Sequence, residues 1–251
     1  MDKGGGRRIS FSEVSEMTGH IVPGTGNRLL VHLARERLLG LPLLRGEVPG
    51  NRLTPGRVRR TARALRKQGV VHVLAPEDFP LWEEVLAQGL RPVETGELCR
   101  ALAGPIALAA LAGDGVPLWE ARVALWGDRV TRALRAAALE LCPQVRQLLV
   151  EVPAGGEGLQ RELSREFGLP VVEGGPGRGA HLTLFFAPAR HGRGGRSVDL
   201  SGETPMLGDY RFRLREGILP DDAAALSLLA ALWSSGRLER DGIAVEAYFH
   251  T

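Results

Sequence analysis

The chain has few aromatic residues, few cysteines and almost no lysine. Aromatic residues make up 5% of its 251 positions, so a surface that stacks nucleic-acid bases would have to be built from very few rings. Its two cysteines, Cys99 and Cys142, lie in apolar segments without a CxxC motif or a nearby histidine. This pattern speaks against a disulfide framework or a metal site, and it fits a reducing compartment.

Long hydrophobic runs are also missing. The longest apolar window, 98–112, is interrupted by Arg100 and by Gly104-Pro105, whereas a membrane-spanning helix needs about 20 apolar residues. The N-terminal sequence MDKGGGRRIS carries charge but no apolar core follows it, so we expect no signal peptide. The sequence therefore predicts a cytoplasmic protein that does not insert into a membrane.

The charge is nearly balanced, and its basic part is almost entirely arginine. The formal net charge is +3, and Lys3 and Lys67 are the only lysines among 32 basic residues. Arginine is well suited to phosphates, but acidic residues are interspersed with the arginines. A compositional preference of the whole genome explains the arginines more simply, so the composition speaks against nucleic acid as the partner.

Helix-patterned and strand-patterned segments alternate from residue 53 onward. Residues 1–27, rich in glycine and serine, are predicted to be an irregular N-terminal arm. Within an α/β portion at 28–117, leucine spacing indicates a helix at 28–39. Thr54-Pro55 begins another helix, which ends at Gly69.

The portion 118–251 repeats the alternation and ends with a closing helix and strand. Crossover connections of this length imply parallel strands. The sequence therefore predicts an α/β fold of two consecutive halves, the second a Rossmann-like parallel sheet with helices on both faces. The predicted strands of this half include 123–126, 148–152, 170–172 and 182–187, and the predicted helices include 129–141, 157–167 and 220–235.

The segment 121–152 carries the most informative motif. An apolar strand breaks at Gly127-Asp128, passes into a helix and emerges in a second strand that contains Glu151. This is the order of a βαβ unit whose first turn faces a phosphate. Of the usual G-x-G-x-x-G only Gly127 is present, because Arg129 and Arg132 stand at the other two positions. Arg129 obstructs the approach of backbone to a pyrophosphate, but it could supply a cation to a phosphate; equally, both arginines could be solvated.

The second half resembles the NAD(P)-binding domain of the shikimate dehydrogenase and glutamyl-tRNA reductase group over about residues 118–201. The likeness rests on Gly127, on Glu151 near the ribose-contacting position, and on the helix 158–168. Ala180-His181 stands where the group has Ala-Asp, and two motif glycines are absent. The resemblance implies NAD or NADP as the cofactor, whereas the residues themselves leave the cofactor unidentified.

The candidate ligand-binding residues cluster around the two turns that follow the strands of this unit. Asp128 is most simply a helix cap, and the glycines of the second turn could either cradle an anion or merely shape the turn. No catalytic set and no metal site stand out. The candidates are Gly127, Asp128, Arg129, Glu151, Gly155 and Gly156.

Three functions remain open at this point. We favour a non-catalytic or cryptic Rossmann-like protein that binds a nucleotide-type ligand, or else a protein partner or a second copy of itself. The first alternative is an NAD(P)-dependent oxidoreductase with an altered phosphate turn. The second is a nucleic-acid binder, which would use the loop RHGRGGR at 190–196 and an arginine-rich helix. The arginines of that helix are Arg57, Arg59, Arg60, Arg63 and Arg66.

Overall fold

The computed structural model describes residues 17–24, 30–50, 52–168, 179–188 and 195–248. The chain divides into two compact units, Met1–Pro92 and Val93–Thr251. The boundary predicted from the sequence lies after residue 117, whereas residues 93–117 belong to the second unit.

The first unit is built on a sheet in which parallel pairings predominate. In chain order the elements are β1 (Thr18–Pro23), β2 (His32–Leu38), β3 (Leu41–Val48), α1 (Pro55–Lys67), β4 (His72–Leu74), α2 (Trp82–Leu86) and β5 (Arg91–Pro92). The strand order is β2-β3-β1-β4-β5, and β2 is the strand that pairs antiparallel with its neighbour. Ile21 and Leu65, both fully buried, belong to the apolar cluster between the sheet and α1.

Two segments of this unit differ from the sequence prediction. Residues 18–23 lie within the predicted irregular arm, but they form the central strand, because Ile21 and Val22 bury their side chains in the core. Residues 32–38 lie within a predicted helix, but they form β2. The turn at Leu39-Gly40 folds this segment back onto β3, and the strand pairing overrides its helix-like leucine spacing.

The turn between β2 and β3 is strained at Leu39. Leu39 and Gly40 both have positive φ, 49° and 82°, as a two-residue type I′ hairpin loop requires. A leucine in this region costs roughly 1–2 kcal/mol, whereas asparagine tolerates it. We expect Leu39→Asn to raise the free energy of unfolding by about 1 kcal/mol in urea denaturation. Leu86→Asn, at an exposed helical leucine, should give no gain; lower stability of the Leu39 variant would contradict the turn geometry.

The second unit contains a sheet in which every pairing is parallel. The elements are α3 (Gly96–Ala101), α4 (Ala103–Gly113), β6 (Arg122–Trp126), α5 (Arg132–Leu141), β7 (Gln147–Glu151), α6 (Gly156–Phe167), β8 (Leu182–Phe185), β9 (Arg196–Asp199), β10 (Tyr210–Leu214), α7 (Ala225–Ser234) and β11 (Ile243–Ala247). The order of the parallel sheet is β7-β6-β8-β9, and β10 and β11 form a separate antiparallel pair. The predicted α/β class is confirmed.

Three helices lie on one face of this sheet. The register places Val150 on the same face as Leu125, and α6 begins next to Val150, since a Cβ added to Gly156 would lie 3.9 Å from its Cγ1. Arg196, on that face by its register, donates hydrogen bonds to Asp114 at the end of α4. Because α5 contacts both α4 and α6, the three helices form one layer. The predicted helices at 129–141 and 157–167 correspond to α5 and α6, whereas helices on both faces of the sheet stay a prediction.

Two predictions from the sequence fall outside the described residues. The strand at 170–172 is one, and most of the loop RHGRGGR is the other, since of that loop only Gly195 and Arg196 are described. Within the described ranges, no helix combines the length and the apolar character needed to cross a membrane.

Candidate functional site

The candidate site lies where the central strand of the second sheet ends. From β6 the chain proceeds to β7 on one side, and it then returns past β6 to β8 on the other. The direction of the chain across the sheet therefore reverses between β6 and β8. In open α/β sheets, ligands bind outside the carboxyl ends of the strands at such a point. Gly127, which follows β6 directly, occupies this position.

Gly127 allows two neighbouring segments to approach the end of β6. A Cβ at this position would lie 3.1 Å from Cδ1 of Leu134 in α5 and 3.6 Å from Cβ of Phe186 after β8. The amide of Phe186 also donates a hydrogen bond of 2.8 Å to the carbonyl of Trp126. Close packing of protein against protein is thus sufficient to explain a small residue at position 127.

The loops that follow β6 and β7 are joined by backbone hydrogen bonds. The Val130 amide donates to the Ala154 carbonyl at 3.0 Å, and the Ala154 amide donates to the Asp128 carbonyl at 3.3 Å. The Gly127 amide donates to the Glu151 carbonyl at 3.4 Å. The structure therefore brings the residues predicted for the two turns into one region. It also shows that two amides of the first turn already have carbonyl acceptors.

The cap of α5 differs from the sequence prediction. Thr131, not Asp128, is the N-cap, and its Oγ1 accepts a hydrogen bond of 3.2 Å from the Leu134 amide. Asp128 lies three residues too early, because the segment around Arg129 runs alongside Ala154 before the helix begins. A threonine immediately before a helical segment is a recognised start signal, so the sequence did contain the information that identifies Thr131.

The N-terminal end of α5 carries positive charge. The amides of Arg132 and Ala133 have no intrahelical acceptor because they lie in the first turn, and that turn contains no acidic residue. Arg129 and Arg132 are exposed, and among the described residues neither side chain has a hydrogen-bond or ion-pair partner. Two guanidinium groups thus accompany the positive end of the helix dipole.

The second turn is less suited to an anion. Gly155 has a φ of 87° and is the N-cap of α6, so the backbone conformation explains why glycine occupies this position. Gly156 is buried, and a Cβ there would lie 3.3 Å from Cβ of Val152. Glu157 already places a negative charge in the first turn of α6. Glu151, half-buried at the end of β7, pairs in register with Trp126.

His181, which stands in place of the aspartate of the resembled group, lies at the opposite end of the sheet. It immediately precedes β8, and its Nδ1 accepts a hydrogen bond of 3.1 Å from the Arg122 amide at the start of β6. This contact joins the amino-terminal ends of two strands. It places His181 away from Gly127, where a ligand at the carboxyl ends would bind.

The arginine-rich helix α1 uses most of its guanidinium groups within the first unit. Four of the five arginines singled out from the sequence donate hydrogen bonds there. Their acceptors are the carboxylate of Glu84, the side-chain amide oxygen of Gln88, and two backbone carbonyls. The donors are Arg57, Arg59, Arg63 and Arg66.

Comparison with known proteins gives no assignment. No protein-family model matches the chain, and no curated protein matches it significantly. The similarity to the shikimate dehydrogenase and glutamyl-tRNA reductase group therefore stays a prediction from the sequence, and a function has to be argued from the site itself.

Neither cysteine is poised as a nucleophile near neutral pH. Burial raises the pKa of the Cys99 thiol to about 11, and desolvation also raises the pKa of the Cys142 thiol. A thiol in this state is protonated and poorly reactive at pH 7. Within the part of the chain that is described, no three histidine, cysteine, aspartate or glutamate side chains are grouped as a metal site would require.

Because the Cys99 thiol is buried, we expect the folded chain to lose stability at alkaline pH. Its pKa is about 11 in the folded chain and close to 9.0 when exposed, so the unfolded state releases its proton first. The contribution is fully present below pH 9 and is lost as the pH rises toward 11. Urea denaturation over this range should show a smaller decline for Cys99→Ala than for the native chain. An equal decline in both proteins would contradict the burial of the thiol.

Proposed function

We propose that the second unit binds a small, phosphate-bearing, nucleotide-type ligand at the turn between β6 and α5. One observation carries the proposal. The helix that follows β6 begins with free first-turn amides and has no acidic residue in that turn. Arg132 in this turn and Arg129 just before it are exposed, and neither side chain has a partner among the described residues. Helix N-termini of this kind bind phosphate, and arginine adds charge-assisted hydrogen bonds.

The same turn gives less support to an NAD(P)-dependent oxidoreductase. A dinucleotide pyrophosphate requires close approach of the glycine-rich backbone. Here the amides of Gly127 and Val130 donate to the loop after β7, and position 129 carries an arginine side chain. These features favour a ligand whose phosphate reaches the Arg132 and Ala133 amides from outside the turn. Nothing in the geometry requires that the bound ligand be chemically altered.

A nucleotide titration tests the proposal. ADP added to the full chain should bind in isothermal titration calorimetry and raise the melting temperature, since a ligand of the folded state stabilises it. Replacing both arginines (Arg129→Ala with Arg132→Ala) should weaken binding by about tenfold or more, because each charge-assisted hydrogen bond contributes roughly 1.5–3 kcal/mol. Asp128→Asn should strengthen binding, since it removes an exposed negative charge beside the phosphate.

The matched control is Arg146→Ala. Arg146 is exposed and immediately precedes β7, so it lies at the amino-terminal ends of the strands, opposite the turn between β6 and α5. Its removal changes the net charge by the same sign without altering the turn, and ADP affinity should stay within about twofold, as expected for a remote exposed charge. Equal weakening by Arg146→Ala would indicate nonspecific attraction. Failure of ADP, pyrophosphate and inorganic phosphate to bind would contradict the proposal.

A further inference from the structure

Among the described residues of the first unit, no strand pairs with the outer edge of β2. β2 terminates the sheet order β2-β3-β1-β4-β5 and is seven residues long. Leu38 pairs with Leu41 across the two-residue turn, so its amide and carbonyl face β3. Backbone groups alternate in direction along an antiparallel strand. The amides and carbonyls of Leu33, Arg35 and Arg37 therefore face outward.

The side chains at these positions define the chemistry of the edge. Leu33, Arg35 and Arg37 share one face of the strand, and Leu33 packs against the core of the first unit. Arg35 and Arg37 are exposed, and no described residue forms an ion pair or a hydrogen bond with either guanidinium. Glu36, on the opposite face, pairs with Arg45 of β3 at 3.4 Å. The outward-bonding positions thus present two cations and one apolar side chain.

A second copy of the chain fits this edge poorly. Two-fold antiparallel pairing through the outward amides places one residue of each copy directly opposite itself. If that residue is Arg35, Glu36 or Arg37, like charges face each other, which destabilises the pair. If it is Ala34, the two Arg35 side chains take diagonal positions, which are also within reach of each other. If it is Leu33, two apolar side chains face each other, but Arg35 and Arg37 then lie opposite residues that precede β2, so most of the strand has no strand to pair with. Charges on an edge strand commonly serve to prevent such self-pairing.

We propose that the edge of β2 binds an extended acidic peptide segment by antiparallel strand addition. In a hydrogen-bonded pair, directly opposite side chains lie on the same face. The matching segment therefore carries an acidic residue opposite Arg37, another opposite Arg35 and an apolar residue opposite Leu33. Read from its N-terminus, the segment has the pattern acid-x-acid-x-apolar. The backbone supplies affinity and the alternate side chains supply specificity, as in other cases of strand addition.

An acetylated and amidated heptapeptide with glutamate, glutamate and leucine at these alternating positions, and threonine between them, tests the proposal. It should bind the full chain and slow the amide hydrogen exchange of Leu33, Arg35 and Arg37. Arg35→Pro removes one outward donor, which an edge strand tolerates, and it should reduce affinity at least tenfold while leaving the melting temperature nearly unchanged. Arg35→Gln retains the donor and should have a smaller effect.

Two controls distinguish an acidic peptide from other partners at the edge of β2. A peptide with lysine in place of both glutamates should bind at least tenfold more weakly, and Arg60→Gln, at an exposed arginine of α1, should not alter binding. The proposal is overturned if neither peptide binds, if both bind equally, or if Arg35→Pro leaves the affinity unchanged. Self-association of the native chain that Arg35→Pro abolishes would also overturn it, because the occupant would then be a second copy.

Discussion

Leu125→Ala should lower the free energy of unfolding of the second unit by about 2–5 kcal/mol, the cost of removing a large buried side chain from a core. Leu125 is fully buried in β6, and it pairs in register with Val150 of β7 and Leu184 of β8. The parallel ladder holds these neighbouring strands at a fixed spacing, so they cannot close in on the cavity that alanine leaves on this face of the sheet.

Urea denaturation followed by tryptophan fluorescence measures this effect, since Trp119, Trp126 and Trp233 belong to the second unit. Leu118→Ala is the control, because this leucine of the same unit is 37% exposed and its truncation should cost less than about 1 kcal/mol. Equal losses in the two variants would show that β6 does not occupy the centre of the sheet.

Gly195→Ala should cost about 2–5 kcal/mol, from two separate causes. Gly195 has a φ of 86°, where a residue with a Cβ is strained by roughly 1–2 kcal/mol. An added Cβ would also lie 2.3 Å from the Ala180 carbonyl oxygen and 2.9 Å from the His181 carbonyl oxygen. Both are backbone atoms beside the start of β8, so relieving the contact would shift β9 away from it, at a further cost of about 1–3 kcal/mol.

The comparison for this glycine is Gly208→Ala. Gly208 is exposed, its φ is not positive, and an added Cβ would meet no atom within 4 Å. Thermal denaturation should therefore show a clear loss for the Gly195 variant and a change within about 0.5 kcal/mol for the control. If Gly195→Ala is as stable as the control, the close approach of β9 to the start of β8 is wrong.

The alternation of strands and helices was predictable where each local pattern agreed with the tertiary contacts. Thr54-Pro55 and Gly69 do bracket α1, and the apolar run before Gly127 is the central strand β6. Where strand pairing determined the secondary structure, the prediction from the sequence was wrong. The leucines of His32–Leu38 have helical spacing, but a two-residue turn pairs this segment with β3. The sequence did not predict β1, because this short apolar segment lies within a region rich in glycine and serine.

The candidate site was predictable in position but not in detail. A glycine after an apolar run indicated the turn, and the turns after β6 and β7 do lie together. The bridge between those loops could not be read from the residues, because it consists of backbone hydrogen bonds between segments that are distant in sequence. That bridge extends the chain as far as Thr131, which makes Thr131 the cap and leaves Asp128 exposed.

The central claim is that a phosphate group binds at the first turn of α5, and an NMR titration of the isotope-labelled full chain with ADP tests it most directly. The account predicts saturable shifts of the Arg132 and Ala133 amide signals, and loss of these shifts when Arg129 and Arg132 are both replaced by alanine. Saturable shifts confined to other parts of the chain, or no shifts at millimolar ADP, would contradict it.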